Sequence, residues 1–216
     1  MDAQGNIDVL LASGSPRRRE LLKDLGWSSR VRVAVPRVDE SPLPGELPEE
    51  LCLRLAAAKA EAVAENDANT GDNLLIIAAD TVVVVDGDVL GKPRDRDESL
   101  KMIARLQGRT HEVLTGVAVR WKERKERKGQ NGRAVSGLER TRVCFRPLDE
   151  AAMRAYVETG EGLDKAGAYA IQGKGALLVS SIEGDYFNVV GLPLCRLAAM
   201  LETMGLDLPR LWMMGR

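Results

Sequence analysis

The sequence predicts an α/β fold built on a mixed β-sheet with flanking helices. Three observations carry that expectation. Apolar runs of strand length alternate with Ala- and Leu-rich stretches of helix length. The pair Asp86-Gly87, set between two apolar runs, marks a hairpin. A length of 216 residues, with 44% hydrophobic and 29% charged side chains, suits one compact domain with a real core.

The elements follow in chain order. Residues 7–12 (IDVLLA) read as a buried strand, which runs into Ser13-Gly14-Ser15-Pro16 and a helix over 17–25 stopped by Gly26. Ser15 suits an N-cap and Pro16 the first helical position. A second strand is expected at 30–34 and a proline-rich loop at 36–48. A helix follows over 48–66, then apolar strands at 74–79 and 82–85 and a hairpin to Val89-Leu90. The pattern continues with a helix over 95–106, strands at 113–121 and 138–145, and a helix over 149–159 capped by Gly160. Late strands at 177–182 and 187–190 precede a last helix over 193–204. The polar stretch 122–137 carries six Lys or Arg residues between Lys122 and Arg133 and is expected as an exposed basic loop. Residues 1–6 read as an N-terminal extension, 7–205 as the domain and 206–216 as a C-terminal tail.

Composition narrows the function. The formal net charge of −1 does not fit a globally basic nucleic-acid binder. Only 4% of residues are aromatic, which argues against an RNA-binding sheet that stacks bases. The three cysteines form no CxxC pair, and reduced, mostly buried thiols are expected. With His111 the single histidine, a His/Cys zinc site is not expected. No stretch reaches the ~20 apolar residues of a membrane span, and residues 1–8 lack the basic start of a secretory signal. A cytoplasmic location is the expectation.

The strongest chemical signal is Ser13-Gly14-Ser15-Pro16-Arg17-Arg18-Arg19. A strand ends, a glycine turn follows and a helix begins, and a helix N-terminus offers free N–H groups and a positive dipole end. Ser13 and Ser15 add hydroxyl donors, and Arg17 and Arg18 add forked donors suited to phosphate. Basic residues oppose the dipole at that end, so an anion is expected to supply the missing negative charge. A solvated, capped first turn is the plainer alternative. Asp80-Thr81 follows a buried apolar strand, the end at which α/β proteins place ligands. Gly91-Lys92-Pro93 fails as a P-loop, because Gly87 and Gly91 are too close and Pro93 stands where a Ser or Thr would hold magnesium. Lys92 is then either a phosphate lysine on a turn or a surface lysine. Lys59 lies within the apolar arc of its helix, either reaching past its edge to solvent or turned inward towards phosphates. In the segment 163–173, glycines allow close backbone approach to a ligand. The charged pair Asp164-Lys165 and the amide of Gln172 are the candidate substrate contacts there, Gln172 for a base edge.

In this order the stretches LLASGSPRRRELL, AADTVVVVDGDVLGKPRDRDES, MIARLQGRTHEVLTGVAV and LDKAGAYAIQGKGALLVSSIEGDYFNVVGLPL resemble the Maf family of nucleotide pyrophosphatases, over residues 10–194. The resemblance implies two lobes around a cleft, like the inosine-triphosphate pyrophosphatases (a Maf/Ham1-like fold), and often a homodimer. It implies a hydrolase of phosphoanhydrides that releases pyrophosphate with a divalent metal, Mg²⁺ or Mn²⁺. It makes Asp80 the general base or the group that orients water and metal. Ser13, Arg17, Arg18, Lys59 and Lys92 would hold the phosphates, and Glu40 would lie near the metal beside Asp80. Asp80-Thr81 and Ile171-Gln172-Gly173 resemble the branch acting on dTTP and UTP, where the 7-methyl-GTP branch has Asp-Gln and Glu-Gly. Thr81 and Gln172 would then select the base.

Two rivals stay in view. A non-catalytic nucleotide-binding regulator of division or growth would use the same phosphate loop, and only turnover separates it. A nucleic-acid module using residues 122–133 would show steep salt dependence.

Overall fold

The computed structural model describes residues 7–27, 31–66, 73–122 and 133–214. The strand order is β2-β1-β3-β5-β6-β7, with β4 added on β3. β1 (Asp8–Ala12) runs parallel to both β2 (Val31–Ala34) and β3 (Leu74–Val85). β4 (Asp88–Leu90) is antiparallel to β3, and β7 (Val179–Glu183) is antiparallel to β6 (Arg133–Phe145). The sheet is therefore mixed, as the sequence predicts. The chain forms two compact units, one of Met1–Asp80, Gly116–Leu138 and Leu194–Arg216, the other of Thr81–Thr115 and Glu139–Pro193.

In the first unit, β1 and the start of β3 are buried on both faces, as parallel strands usually are. Leu10, Ala12, Ile76 and Ala78 pack against Ala56, Ala60, Val63 and Ala64 of α2 (Pro48–Asn66). Glu49 and Glu50 sit in the first turn of α2, where the dipole favours acids, and Glu50 Oε2 accepts from Leu47 N at 3.0 Å. The small side chains bring α2 very close to β5 (Thr110–Lys122). A Cβ at Gly116 would lie 2.3 Å from the Cys52 carbonyl oxygen. Gly116→Ala is therefore expected to push α2 outward and cost about 1–3 kcal/mol through overpacking. Chemical denaturation measures that loss, and an unchanged midpoint would contradict the close contact.

The expected tail is packed. After α6 (Leu194–Thr203), Leu206 is fully buried and Leu208–Met213 forms α7. Trp27 Nε1 donates to Leu211 O at 3.1 Å, and Arg133 and Arg210 lie over the Trp121 ring.

The second unit holds α3 (Arg96–Leu106), α4 (Glu150–Glu158) and α5 (Tyr186–Val190). Its core gathers Val83, Ile103, Leu106, Val113, Phe145 and Tyr169. His111 is buried there, with Nε2 at 2.8 Å from the Tyr169 hydroxyl and its ring edge-on to Phe145 and Tyr169. Burial pushes its pKa down from 6.5 to about 4. The folded state then takes up this proton less readily than the unfolded chain. The stability is fully present above pH 6.5 and is lost as pH falls from there towards about 4. The loss amounts to about 3 kcal/mol. His111→Asn is expected to flatten that slope, as read by unfolding midpoints across the same pH window.

Four expectations need correction. Residues 74–79 and 82–85 form one strand, because Thr81 and the valines after it are β-branched and carry the extended chain through Asp80. Residues 187–190 are helical: Asp185 Oδ1 accepts from Phe187 N at 2.7 Å, and Gly191 closes the turn with φ 118°. The strand ends reach into the expected basic loop, since Lys122 ends β5 and residues from Arg133 belong to β6; residues 123–132 lie outside the described residues. The cysteines are free, but only Cys52 is buried, while Cys144 is half-buried and Cys195 exposed. The hairpin expectation holds, with Asp86 and Gly87 at φ 55° and 82°, the pair of positive values that a type I′ turn requires. Among the described residues no helix is long and apolar enough to cross a membrane.

Candidate functional site

β1 ends at Ala12, and α1 (Pro16–Asp24) begins four residues later. Ser13 is buried between them, and its Oγ accepts from Ser15 N at 3.2 Å and from Arg18 Nη1 at 3.1 Å. Ser15 does occupy the N-cap position, but its side chain makes no capping bond. Ser13 organises the turn instead, and Ser15 keeps its hydroxyl. No acid stands in the first turn of α1, so nothing from the helix itself answers its positive end.

Arg18 reaches back to β3, where Nη1 also donates to Ala79 O at 2.7 Å. Its pKa is pulled down to about 10, chiefly by loss of water around the guanidinium, with Arg17 adding to the fall while Asp80 and Glu40 oppose it. It stays cationic at neutral pH. Arg17 is half-buried beside it.

Asp80 follows the carbonyl that Arg18 holds. It lies inside β3 rather than at its end, so the strand-end argument needs restating. β1 and β3 pair from Asp8↔Leu74 to Leu11↔Ile77. That register sets Asp80 just beyond the carboxyl end of β1, the place where open α/β sheets bind ligands.

Lys59 of α2 meets Asp80 there. Its ammonium lies 2.5 Å from Asp80 Oδ1 and 2.6 Å from Glu40 Oε1. The side chains of Lys59 and Asp80 are each 11% exposed, that of Glu40 54%. Lys59 does not reach past the edge of its helix to solvent: its ammonium is held by two carboxylates. Two carboxylates therefore converge on one cationic atom, with Arg18 behind them. Among the described residues no group of three or more His, Cys, Asp or Glu is placed to hold a metal ion.

Glu40 sits on a loop, and two residues that the sequence reading missed fix that loop. Arg54 of α2 grips Glu46 with Nε (2.5 Å) and Nη2 (2.8 Å), and Nη2 also donates to Ser41 O at 3.1 Å. The Arg54 guanidinium holds the Glu46 carboxyl down at about 2. Asp39 Oδ1 accepts from Ser41 N at 2.9 Å. No local pattern announces a pair eight residues apart across a turn and a helix start.

The remaining candidates belong to the second unit. Side chains alternate along a strand, so Thr81 faces opposite to Asp80, on the side where Val83 joins the second core. Its Oγ1 lies 2.9 Å from Thr115 Oγ1, and Thr115 donates its own hydrogen to Asn188 O at 3.2 Å. Thr81 is therefore the donor in the threonine pair and keeps acceptor character for other groups. Lys92 is exposed just after β4. Lys165 Nζ donates to Asp164 Oδ1 and Glu161 O, each at 2.5 Å. Gln172 is half-buried at the start of a short 3-10 turn, Gly173–Leu177. The structure thus brings Ser13, Arg18, Glu40, Lys59 and Asp80 together, with Ser15 and Arg17 on the same turn. It places Asp164, Lys165 and Gln172 on one segment.

A family model described as Maf-like protein matches residues 8–204. A protein of Pelotomaculum thermopropionicum named dTTP/UTP pyrophosphatase is 49% identical over 92% of this chain and 97% of its own length. Proteins of the same name from Symbiobacterium thermophilum and Myxococcus xanthus are 50% and 47% identical, over 91% and 93% of this chain and 94% of each of theirs. Among solved structures, the Staphylococcus aureus Ham1 protein superposes over 91% of this chain and 99% of that one, with a TM-score of 0.45 at 16% identity. The family match over 8–204 and the relatives near half identity agree with the motifs that surround Ser13, Asp80 and Gln172, and the chain belongs to the Maf family.

Proposed function

We propose that this chain hydrolyses pyrimidine nucleoside triphosphates, dTTP and UTP, to the monophosphate and pyrophosphate, with Mg²⁺ or Mn²⁺. The observation that carries the reading is the cluster of Ser13, Arg18, Lys59, Glu40 and Asp80 at the carboxyl end of β1. The names of the relatives supply the substrate class.

The residues fit a divalent ion. Glu40 and Asp80 offer hard oxygen donors side by side, with the Lys59 ammonium between them, and magnesium commonly takes one or two carboxylates and fills its other positions with phosphate oxygens and water. Such an ion would offset phosphate charge and make a water easier to deprotonate. The protein groups do the rest. The positive N-terminal end of α1, the Ser13 and Ser15 hydroxyls and the Arg17 and Arg18 guanidiniums hold the triphosphate. Lys59 and Lys92 add positive charge where negative charge builds up during attack. Asp80 accepts the proton of the attacking water or orients that water. Thr81, Asp164, Lys165 and Gln172 contact the substrate, Gln172 by hydrogen bonds to the base.

In this reading residues 7–205 form the catalytic domain, 1–6 an extension and 206–216, with α7, an addition. The enzyme works in the cytoplasm as a homodimer. The test is pyrophosphate release from dTTP, UTP, dCTP, dATP and dGTP, with and without each metal. Release from dTTP and UTP that requires metal supports the reading. Equal rates on all five would remove the pyrimidine assignment, and tight binding without release would favour a nucleotide-binding regulator.

A further inference from the structure

Gln172 sits on a stretch of backbone that is held from both sides. Before it, the Tyr156 hydroxyl accepts from Ala170 N at 3.2 Å. After it, the Glu161 carboxylate receives two backbone donors, Lys174 N on Oε1 at 3.0 Å and Gly175 N on Oε2 at 2.8 Å. The 3-10 turn Gly173–Leu177 thus has two of its leading N–H groups met by an anion from more than ten residues away.

The carboxylate is itself anchored. Glu161 N donates to Thr159 Oγ1 at 3.2 Å, and Lys165 Nζ donates to Glu161 O. Gly173 lets the carboxylate approach, since a Cβ there would stand 2.3 Å from Glu161 Oε1, and its φ of +65° suits glycine. Gly175 is equally confined, because its Cβ would meet Ala170 O at 2.1 Å. Gln172 makes no side-chain bond to the turn that it precedes. The backbone is pinned on both sides of one amide that plays no part in capping the turn.

We propose that Glu161 is a positioning residue for base selection: its carboxylate fixes residues 172–175 so that the Gln172 amide is presented at one place. This rests on the reading that Gln172 contacts the base. Without the clamp the Gln172 amide is no longer held at one place, and pyrimidine and purine are told apart less well. Misplacing one base contact is worth about tenfold in discrimination, the low end of what a single pocket contact supplies.

The experiment compares kcat and KM for dTTP and dGTP in wild type, Glu161→Ala, Glu161→Gln and Gln172→Ala, with Mg²⁺. The expected result is a roughly tenfold fall in the dTTP-over-dGTP ratio of kcat/KM for Glu161→Ala, carried mainly by KM. Glu161→Gln keeps one acceptor oxygen and should fall between wild type and Glu161→Ala. It also carries the test if Glu161→Ala does not fold. A merely structural role would lower both substrates together and leave the ratio unchanged, which overturns the proposal. If Gln172→Ala changes the ratio and neither Glu161 variant does, the clamp is wrong while the base reading stands. If Gln172→Ala leaves the ratio unchanged, the base reading itself fails, and the clamp's assigned role with it.

Discussion

Asp80→Asn is expected to lower turnover of dTTP by about 10³-fold, the middle of the range for loss of a general base, with nucleotide affinity changed only a few-fold. The side chain is almost wholly buried beyond the end of β1 and lies 2.5 Å from the Lys59 ammonium. Asparagine keeps its shape and one oxygen for Lys59 but accepts no proton. Glu40 still pairs with Lys59, so the fold should persist. Turnover and binding must be read separately, by pyrophosphate release and by titration with labelled nucleotide. A variant that turned over at near-normal rate with Mg²⁺ would remove Asp80 from the chemistry. A variant that lost binding and turnover together would make it a substrate-holding residue.

Lys59→Met should act on both stability and catalysis. Removing one partner of a buried ion pair commonly costs 3–5 kcal/mol. Here about 3 kcal/mol is expected, because Glu40 remains half exposed to water and needs the pairing less. Turnover should fall by about 10²-fold, as for loss of one group that stabilises developing charge. A more diagnostic effect concerns the metal. In wild type the ammonium sits between the oxygens of Glu40 and Asp80, so a divalent ion must compete with it. In Lys59→Met the two carboxylates have no such competitor, and Mn²⁺ should raise the unfolding midpoint more than it does in wild type. Equal midpoint shifts would show that the lysine and the ion do not share these carboxylates.

How far the sequence could be read depended on the range of each interaction. The helix over 48–66 was legible to its ends, because Pro48 and the acids after it mark a start and the Ala/Leu pattern is long. The turn at Asp86-Gly87 was legible because positive φ at both positions demands such residues. The turn between β1 and α1 stands out in the sequence because its three arginines contradict the helix dipole locally, and Arg18 does contact Ser13 there. The continuity of β3 through Asp80 was not, since a lone carboxylate inside an apolar run reads as an end. Its neighbours Lys59 and Arg18 come from other elements. Residues 187–190 are a short apolar run, which fits a strand or a helix equally until Asp185 and Gly191 are given their capping roles. The grips of Arg54 on Glu46 and of Glu161 on Lys174 and Gly175 cross turns and carry no periodic signal. Asp80-Thr81 reads in the sequence as one unit, but the strand period of two turns the neighbours to opposite faces.

The most direct test of the account is the identity of the products from dTTP with Mg²⁺, followed by phosphorus NMR. Cleavage between the α- and β-phosphates predicts thymidine monophosphate and pyrophosphate in equal amounts, with almost none from Asp80→Asn. Thymidine diphosphate with inorganic phosphate would place the attack at the terminal phosphate and contradict the account.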